Sequence, residues 1–373
     1  MRRTRIRLLT LLAVLCAFAL VAAACGDDNE TAVDPTPTAT EPAAESSPEP
    51  AADPADESPA EPAVEEMPAE DYTIATVVKL VGVAWFDRME EGTIKFGEDN
   101  EGVTTLLQGP ADADVALQAQ VIEDLIAQGV DALTVVPNSA EGLETVLGRA
   151  QDEGIIVVTH EASNQQNTSY DIEAFRNDAY GRHFMDALAQ RMGEEGEYAV
   201  MVGSLTSTSH NEWVDAAIAH QEATYPNMTL VGDKIETNDD TATAFERTQE
   251  LLVAFPNLAG IQGSSAVDVI GAGQAIEEAG LENQIAVVGT SIPSITSDLI
   301  QTGAIDMISF WDPSDAGYAM DAIALMLLRG QEPTNGMDLG LPGYESIEID
   351  GKVIYGAAWV DVTLDNLEEW SFI

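Results

Sequence analysis

From Thr73 onward the chain repeats one unit: a short β-branched run, an amphipathic helical stretch, a glycine, then another apolar run. Thr73–Val78 reads as the first strand, and Trp85, Met89 and Phe96 recur after it at helical spacing. Val103–Leu107 follows as strand, with Leu117, Val121, Leu125 and Ile126 as the next helical stripe and Gly129 placed to cap it. Ala132–Val136, the stripe Leu143, Val146, Leu147 and Ala150, then Gly154 and Ile155–Thr159 continue the scheme. A second set runs through strand Tyr198–Val202, helix Trp213–Ala223, a weaker strand beginning at Leu230–Val231, helix Ala244–Phe255, strand Gly260–Gln262 and helix Val267–Ala279 with Gly280 as its stop. Strands Ile285–Gly289 and Ala304–Phe310 and the helix Ala316–Leu328 complete it. Strands that alternate with helices form parallel sheets covered on both faces. Two such sets predict an α/β fold of two doubly wound parallel-sheet lobes.

Ahead of this body stand Arg2, Arg3, Arg5 and Arg7, an apolar run from Leu8 to Ala24 broken only by Thr10, and then Cys25. A charged start, a short apolar segment and small residues at the cut site describe a secretory signal over residues 1–24. Cys25 directly after Ala22-Ala23-Ala24 resembles a bacterial lipoprotein signal, which implies lipidation at Cys25, although the pattern's usual Leu three places before the Cys is Ala22 here. A plain secretory signal, or an uncleaved anchor with an inert Cys25, stays open. Residues 25–71 are rich in Pro, Ala, Glu and Asp, with no Lys or Arg, so this stretch reads as a disordered acidic tether. The expected address is extracytoplasmic, on the cell membrane through a lipid anchor. The other cysteine, Cys16, lies inside the signal, so the folded part stands without a disulfide.

The chain has 15 basic and 65 acidic residues. Removing the signal takes away four arginines and no acids, leaving 11 against 65, a net charge of −54. Such a field repels nucleic acid and anionic lipid, so neither is expected as a partner. Lys79, Lys95, Lys234 and Lys352 are the chain's lysines; a surface so rich in acid and poor in lysine fits a salt-adapted secreted protein, or simply a soluble, self-repelling one.

Open α/β sheets bind ligands at the carboxyl ends of their strands. Lys79 follows the first strand, with Trp85 and Phe86 at the start of the next helix. His160 and Glu161, then Ser207, Ser209, His210 and Asn211, then Ser264 and Ser265, then Thr290 and Ser291, and finally Trp311 and Asp312 follow later strands. Hydroxyls, a base, carboxylates and rings at nearly every strand end suit a small neutral polyol, whose hydroxyls need paired donors and acceptors while rings cover its C–H faces. Each has a plainer reading beside it. Lys79 can be a solvated strand end, and one of Trp85 and Phe86 belongs to the core, with Trp85 expected to face the ligand. Glu161 can pair with Arg176, and His210 can cap a helix or face water. Trp311 divides evenly between ligand contact and packing at the hinge, and Asp312 can cap the helix starting near Ser314.

Lys79-Leu80-Val81-Gly82-Val83-Ala84-Trp85-Phe86, Gly109-Pro110, the helix with Gln118 and Gln120, Gln128-Gly129, Asn211-Glu212-Trp213-Val214 and Phe310-Trp311-Asp312 resemble the autoinducer-2-binding branch of the type I, ribose-type periplasmic sugar-binding proteins. The likeness runs from about Thr73 to Gly330. It implies two lobes joined by a hinge crossed three times, closing on ligand, with ABC permease subunits as partner and the binding protein itself a monomer. It matches the family's ligand lysine with Lys79 and its first ligand aspartate with Glu161. The Asp-Gln pair of that branch falls on Ser209 and His210, and its Pro-Asp-Ala on Gly263, Ser264 and Ser265, so the second-lobe recognition surface differs. A pentose, hexose, deoxysugar or short polyol suits the chain as well as autoinducer-2. Lobe one is expected over 72–175 plus about 312–335, and lobe two over 176–311 plus part of 336–373; the pairing of a strand-like run at Val353–Tyr355 is left open.

The sequence lacks a Gly-x-Ser-x-Gly elbow, a phosphate loop and a dinucleotide fingerprint. His160, His183, His210 and His220 lack zinc-ligand spacing, and no cofactor or metal is expected. His160 and Glu161 would point to opposite faces if their strand continued. The leading expectation is therefore the substrate-binding component of an ABC importer and not an enzyme. A receptor component for signalling or chemotaxis is the alternative, and a glycoside hydrolase using Glu161 is the remote one.

Overall fold

The structure, a computed structural model, describes residues 71–370 and Ile373. The expected signal, Cys25 and the tether as far as Glu70 lie outside the described residues. The first set of elements is β1 (Tyr72–Val77), α1 (Ala84–Asp99), β2 (Val103–Gln108), α2 (Val115–Gln128), β3 (Ala132–Val135), α3 (Ala140–Asp152), β4 (Ile156–His160) and β5 (Tyr170–Glu173). The second is α4 (Asn177–Met192), β6 (Glu195–Val202), α5 (Thr208–Thr224), β7 (Asn227–Leu230), β8 (Ile235–Glu236), α6 (Thr241–Ala254), β9 (Leu258–Gly263), α7 (Asp268–Ala279), β10 (Ala286–Thr290), α8 (Pro293–Thr302) and β11 (Met307–Phe310). Then come α9 (Pro313–Leu328), β12 (Glu348–Asp350), β13 (Val353–Tyr355), β14 (Val360–Val362) and a 3-10 turn at Leu367–Trp370.

Two sheets result, as the strand–helix alternation predicts. One has the order β12-β13-β5-β4-β3-β1-β2, the other β14-β11-β10-β9-β6-β7 with β8 also paired to β6. Pairing is parallel except where β12 meets β13 and β14 meets β11. The run Val353–Tyr355, whose pairing was open, joins β5 in parallel. The sequence pattern misses β5, α4 and α8 outright, and it places the start of β11 three residues early.

Along β1, Ala75 and Val77 pack with Ile122, Leu125, Leu143 and Leu147 on one face, while Ile74 and Val78 face the larger core shared with Met89 and Phe96. A strand buried on both faces reads as a largely apolar run, and Ile74–Val78 shows one broken only by the buried Thr76. Helix ends follow local chemistry. Asp114 accepts the Ala116 and Leu117 amides at the start of α2, and Gly129 closes it in the left-handed conformation at φ 75°, as its position predicts. Helices α1 and α9 approach so closely that a Cβ on Gly92 would lie 1.9 Å from the Ser314 carbonyl oxygen.

The chain passes between the sheets three times: from β5 to α4, from β11 to α9, and from β13 to β14. Each passage carries a ring into one cluster. Phe175 lies 5.1 Å from Trp311 and 5.4 Å from Trp359, centroid to centroid, and stacks on Tyr180 at 4.0 Å. Tyr180 also donates its hydroxyl to the Ser309 carbonyl at 2.9 Å, which ties the start of α4 to β11.

Under α9 sits a buried polar triad. The Thr134 hydroxyl donates to Asp321 Oδ1 at 3.0 Å and shares a 2.8 Å hydrogen bond with the Thr76 hydroxyl, while Oδ2 has no partner within the protein. Burial pushes the Asp321 carboxyl up to about 8, despite its bonds to Thr134 and Thr76. The folded state therefore holds a proton that the unfolded chain releases near pH 4, and stability falls as pH rises from about 4 to about 8. Asp171 and Asp268, each pushed to about 7 by burial, act in the same direction. Urea unfolding at pH 5 and pH 8 should show this loss, and Asp321→Asn should reduce it by on the order of 1–3 kcal/mol. Parallel pH dependences for the two proteins would contradict the assignment.

Candidate functional site

The carboxyl ends of the strands in both sheets face one cavity with an empty volume of about 530 Å³, part of it open to solvent. From the first sheet and its neighbours come Lys79, Leu80, Val83, Ala84, Trp85, Phe86, Glu161 and Trp311. The second contributes His210, Trp213, Asp239, Ser264, Ser265, Ala266, Val267, Thr290 and Ile295. Nine of the residues weighed for the site from the sequence meet here: Lys79, Trp85, Phe86, Glu161, His210, Ser264, Ser265, Thr290 and Trp311. Ser209, Asn211, Ser291 and Asp312 do not line it.

Those four have other partners. α5 begins at Thr208, not at Trp213, so Ser209 and Asn211 sit in its first turn. The Ser209 hydroxyl donates to Glu173 Oε1 at 3.3 Å, and the Asn211 amide donates to the Ser204 and Ser207 carbonyls at 3.0 and 2.7 Å. Ser291 donates to the Ala266 carbonyl at 2.6 Å and so fixes the wall behind Ser264 and Ser265. Asp312 caps α9 by accepting the Ser314 amide at 2.9 Å, the capping alternative of the sequence reading. Its two oxygens also receive Arg88 Nε and Nη2 at 2.9 and 2.7 Å.

At the cavity floor Lys79 Nζ meets Glu161 Oε2 at 2.5 Å, with both side chains buried. Arg176, the partner weighed for Glu161, pairs instead with Glu348. Burial raises the Glu161 carboxyl, but the Lys79 ammonium overrides that and, with His160 and His210, holds it at about 2. Burial likewise lowers Lys79, and Glu161, Asp239 and Glu173 more than restore it, so the pair is ionised. Glu161 does not continue the strand from His160, as the alternation argument assumed. It adopts φ 59°, a left-handed conformation costly for a side chain of its size. The turn is held by Asp171, whose Oδ1 accepts the Ala162 amide at 3.1 Å and the Thr159 hydroxyl at 2.7 Å. His160 turns away, with Nδ1 against the Ile172 carbonyl.

Burial, and next the Lys79 charge, lower His210 to about 4, so it is neutral at physiological pH. The Gly203 amide donates to its Nδ1 at 3.2 Å, which leaves the proton on Nε2. Trp85 and Trp311 meet edge to face at 4.7 Å, and Trp213 lies 5.8 Å from Trp311. Trp311 lines the cavity and also packs among the rings of the three passages. Its indole N–H and the Ser264 hydroxyl are buried without a partner in the protein, and buried polar atoms of this kind call for one. Asp239 and Trp213 were not singled out as site residues; Trp213 stood inside a quoted motif, whereas Asp239 had no such signal.

The lobes touch across the cavity mouth. The Thr206 hydroxyl donates to the Asn138 carbonyl at 3.4 Å, Thr208 to Asn164 Oδ1 at 2.8 Å, and Ser163 to Glu212 Oε1 at 2.8 Å. Asn177 spans the junction by donating to both Glu173 Oε1 (3.1 Å) and Glu212 Oε2 (2.7 Å). The cavity is therefore in a closed arrangement. It offers hydroxyl-sized polar partners and ring faces. Among the described residues no group of three or more His, Cys, Asp or Glu side chains could hold a metal ion.

Residues 74–332 match the periplasmic binding protein domain. The D-ribose/D-allose-binding protein of Pseudomonas aeruginosa is 25% identical over 282 residues, covering 71% of this chain and 85% of that protein. The xylitol-binding protein of Mycolicibacterium smegmatis is 26% identical over 314 residues, covering 81% and 87%. The structure of LsrB from Clostridium saccharobutylicum in complex with AI-2 superposes with a TM-score of 0.73 at 21% identity, covering 80% of this chain and 99% of that one; this likeness carries the fold.

Lys79→Met leaves Glu161 buried without its cation and should cost about 3–5 kcal/mol in denaturant unfolding. The double variant Lys79→Met, Glu161→Gln removes both charges and should recover most of that loss. A double variant as unstable as the sum of the two single ones would show that the pair is not coupled.

Proposed function

The chain belongs to the periplasmic binding protein family, and we propose that it captures a small neutral sugar or polyol between its lobes and presents the closed form to an ABC permease. The observation that carries this reading is the cavity itself, where both sheets bring strand ends, ring faces and unpartnered polar atoms together. Rings cover the apolar C–H faces of a pyranose or polyol, while its hydroxyls complete the hydrogen bonds of Ser264 and the Trp311 N–H. Relatives named for ribose, allose and xylitol support the same class. Lobe closure accounts for the activity without a covalent step, since the energy of binding shifts the hinge.

In this reading Cys25 carries the lipid, and the acidic stretch to residue 71 holds a monomeric body off the membrane. Lobe one comprises 72–175 and the α9 segment, and lobe two 176–311. Among the described residues no helix is long and apolar enough to cross a membrane.

A thermal-shift screen of the mature chain against pentoses, hexoses, deoxysugars, tetritols, xylitol and autoinducer-2 tests the proposal. A ligand that binds only the folded state raises the melting temperature with concentration. At least one of these compounds should do so, and Trp85→Ala and Ser264→Ala should each weaken it about tenfold or more. A folded protein that no polyol shifts would rule out the sugar reading.

A further inference from the structure

Of the two carboxylates that line the cavity, Asp239 is the one that forms no ion pair among the described residues. Lys79 and Glu161 are committed to each other at 2.5 Å. His210 is neutral, its Nδ1 occupied by the Gly203 amide. Asp239 accepts the Ser265 hydroxyl through Oδ1 at 2.5 Å, and no ion pair of Asp239 forms among the described residues. Its second oxygen keeps acceptor capacity for a guest. The lining groups thus sum to one surplus negative charge: a lysine against two carboxylates.

The local backbone is built to hold this carboxylate where it is. Asn238 and Asp239 both adopt left-handed conformations, φ 57° and 51°, which Asn and Asp take more readily than other residues with a side chain, and which turn the chain between β8 and α6. Asp240 then starts α6 as its cap, accepting the Thr243 amide at 2.7 Å. The carboxylate packs directly over Gly203 at the end of β6, where an added Cβ would lie 2.1 Å from Oδ1. Ser265 in turn is fixed by Asp268, whose Oδ2 accepts the Ser264 and Ser265 amides at 3.0 and 2.9 Å. A left-handed turn, a glycine that leaves room and an anchored hydroxyl converge on one carboxylate at the cavity wall.

We propose that Asp239 is the specificity-determining residue of the cleft: it accepts a hydroxyl of a neutral ligand and excludes sugars that carry a carboxylate or phosphate. The inference rests on the sugar reading above. An anion brought into this cavity adds to its surplus negative charge beside the half-buried Asp239 carboxylate, and the lysine nearest to it is already paired with Glu161. A neutral hydroxyl meets the same carboxylate as a donor, and a hydrogen bond to an ionised acceptor is a strong one.

Isothermal titration of the mature chain with matched compounds tests this: D-galactose against D-galacturonate, D-glucose against D-glucuronate, and D-mannose against D-mannuronate. The wild type should bind at least one neutral sugar, and bind its anionic counterpart at least a hundredfold more weakly. Asp239→Asn should weaken the neutral sugar at least tenfold and narrow the gap to its anionic counterpart to less than tenfold, with the melting temperature of the sugar-free protein retained. Ser265→Ala, which removes only the hydroxyl that steadies Oδ1, should move both quantities in the same direction by less, so that the reading does not hang on how one variant folds. Neutral binding that Asp239→Asn leaves unchanged, or equal binding of both members of a pair by the wild type, overturns the inference and leaves the sugar reading standing. No binding of any of the six compounds, together with no thermal shift by any polyol of the screen above, overturns the sugar reading and this inference together.

Discussion

Three passages of the chain between the two sheets meet in one cluster of rings, and the arrangement of the cleft depends on that junction. Phe175, Trp311 and Trp359 each sit on a different passage, and Tyr180 stacks on the first of them. Aromatic pairs at these separations and tilts add to the area they bury, so the passages hold one another in register. Trp311 also forms part of the cavity wall, edge to face with Trp85. A molecule that touches this ring touches the junction on which the lobes turn, which is a short physical route from binding to closure.

Electrostatics adds a second constraint. A body with 65 acids against few bases would gain little by burying charge, and most of its acidic residues stay at the surface. Lys79 and Glu161 are buried as a pair, and breaking such a pair costs far more than replacing it whole. Glu173 and Asp171 lie buried nearby, with burial the first cause of the raised position of each. Asn177 donates to both Glu173 and Glu212 across the lobe junction. The cleft thus holds few charges, each with an assigned partner, and Asp239 alone keeps one to offer.

Much of this was legible in the sequence wherever a residue type follows from local geometry. Apolar runs and glycine stops gave the alternation that became two sheets, and the strand-end rule led to Lys79, Glu161, His210, Ser264 and Ser265 because parallel strands must deliver those positions to one side. Where tertiary context decides, the pattern was silent. β5 carries Asp171 and Glu173 among its four residues and reads as a polar loop, although both are buried. α8 is rich in Ser and Thr, whose hydroxyls turn back onto carbonyls one turn earlier at Thr296 and Ser297. Ser209, Asn211 and Asp312 stand at strand ends as expected, but the first turns of α5 and α9 claim them. Asp239 had no signal at all. It follows a two-residue strand, and its place at the wall depends on Gly203, more than thirty positions away in the chain.

The central claim is that the lobes close around a bound sugar, and a distance across the cavity mouth measures it most directly. Glu141 on the first lobe and Leu205 on the second are both exposed and flank the Asn138–Thr206 contact. The chain has only Cys16 and Cys25, so with both replaced by Ser, cysteines introduced at 141 and 205 can carry the only spin labels. The account predicts that the neutral sugar giving the largest thermal shift moves the pulsed-EPR distance distribution toward the short separation of the closed arrangement. A distribution that stays the same while the sugar is bound would contradict it.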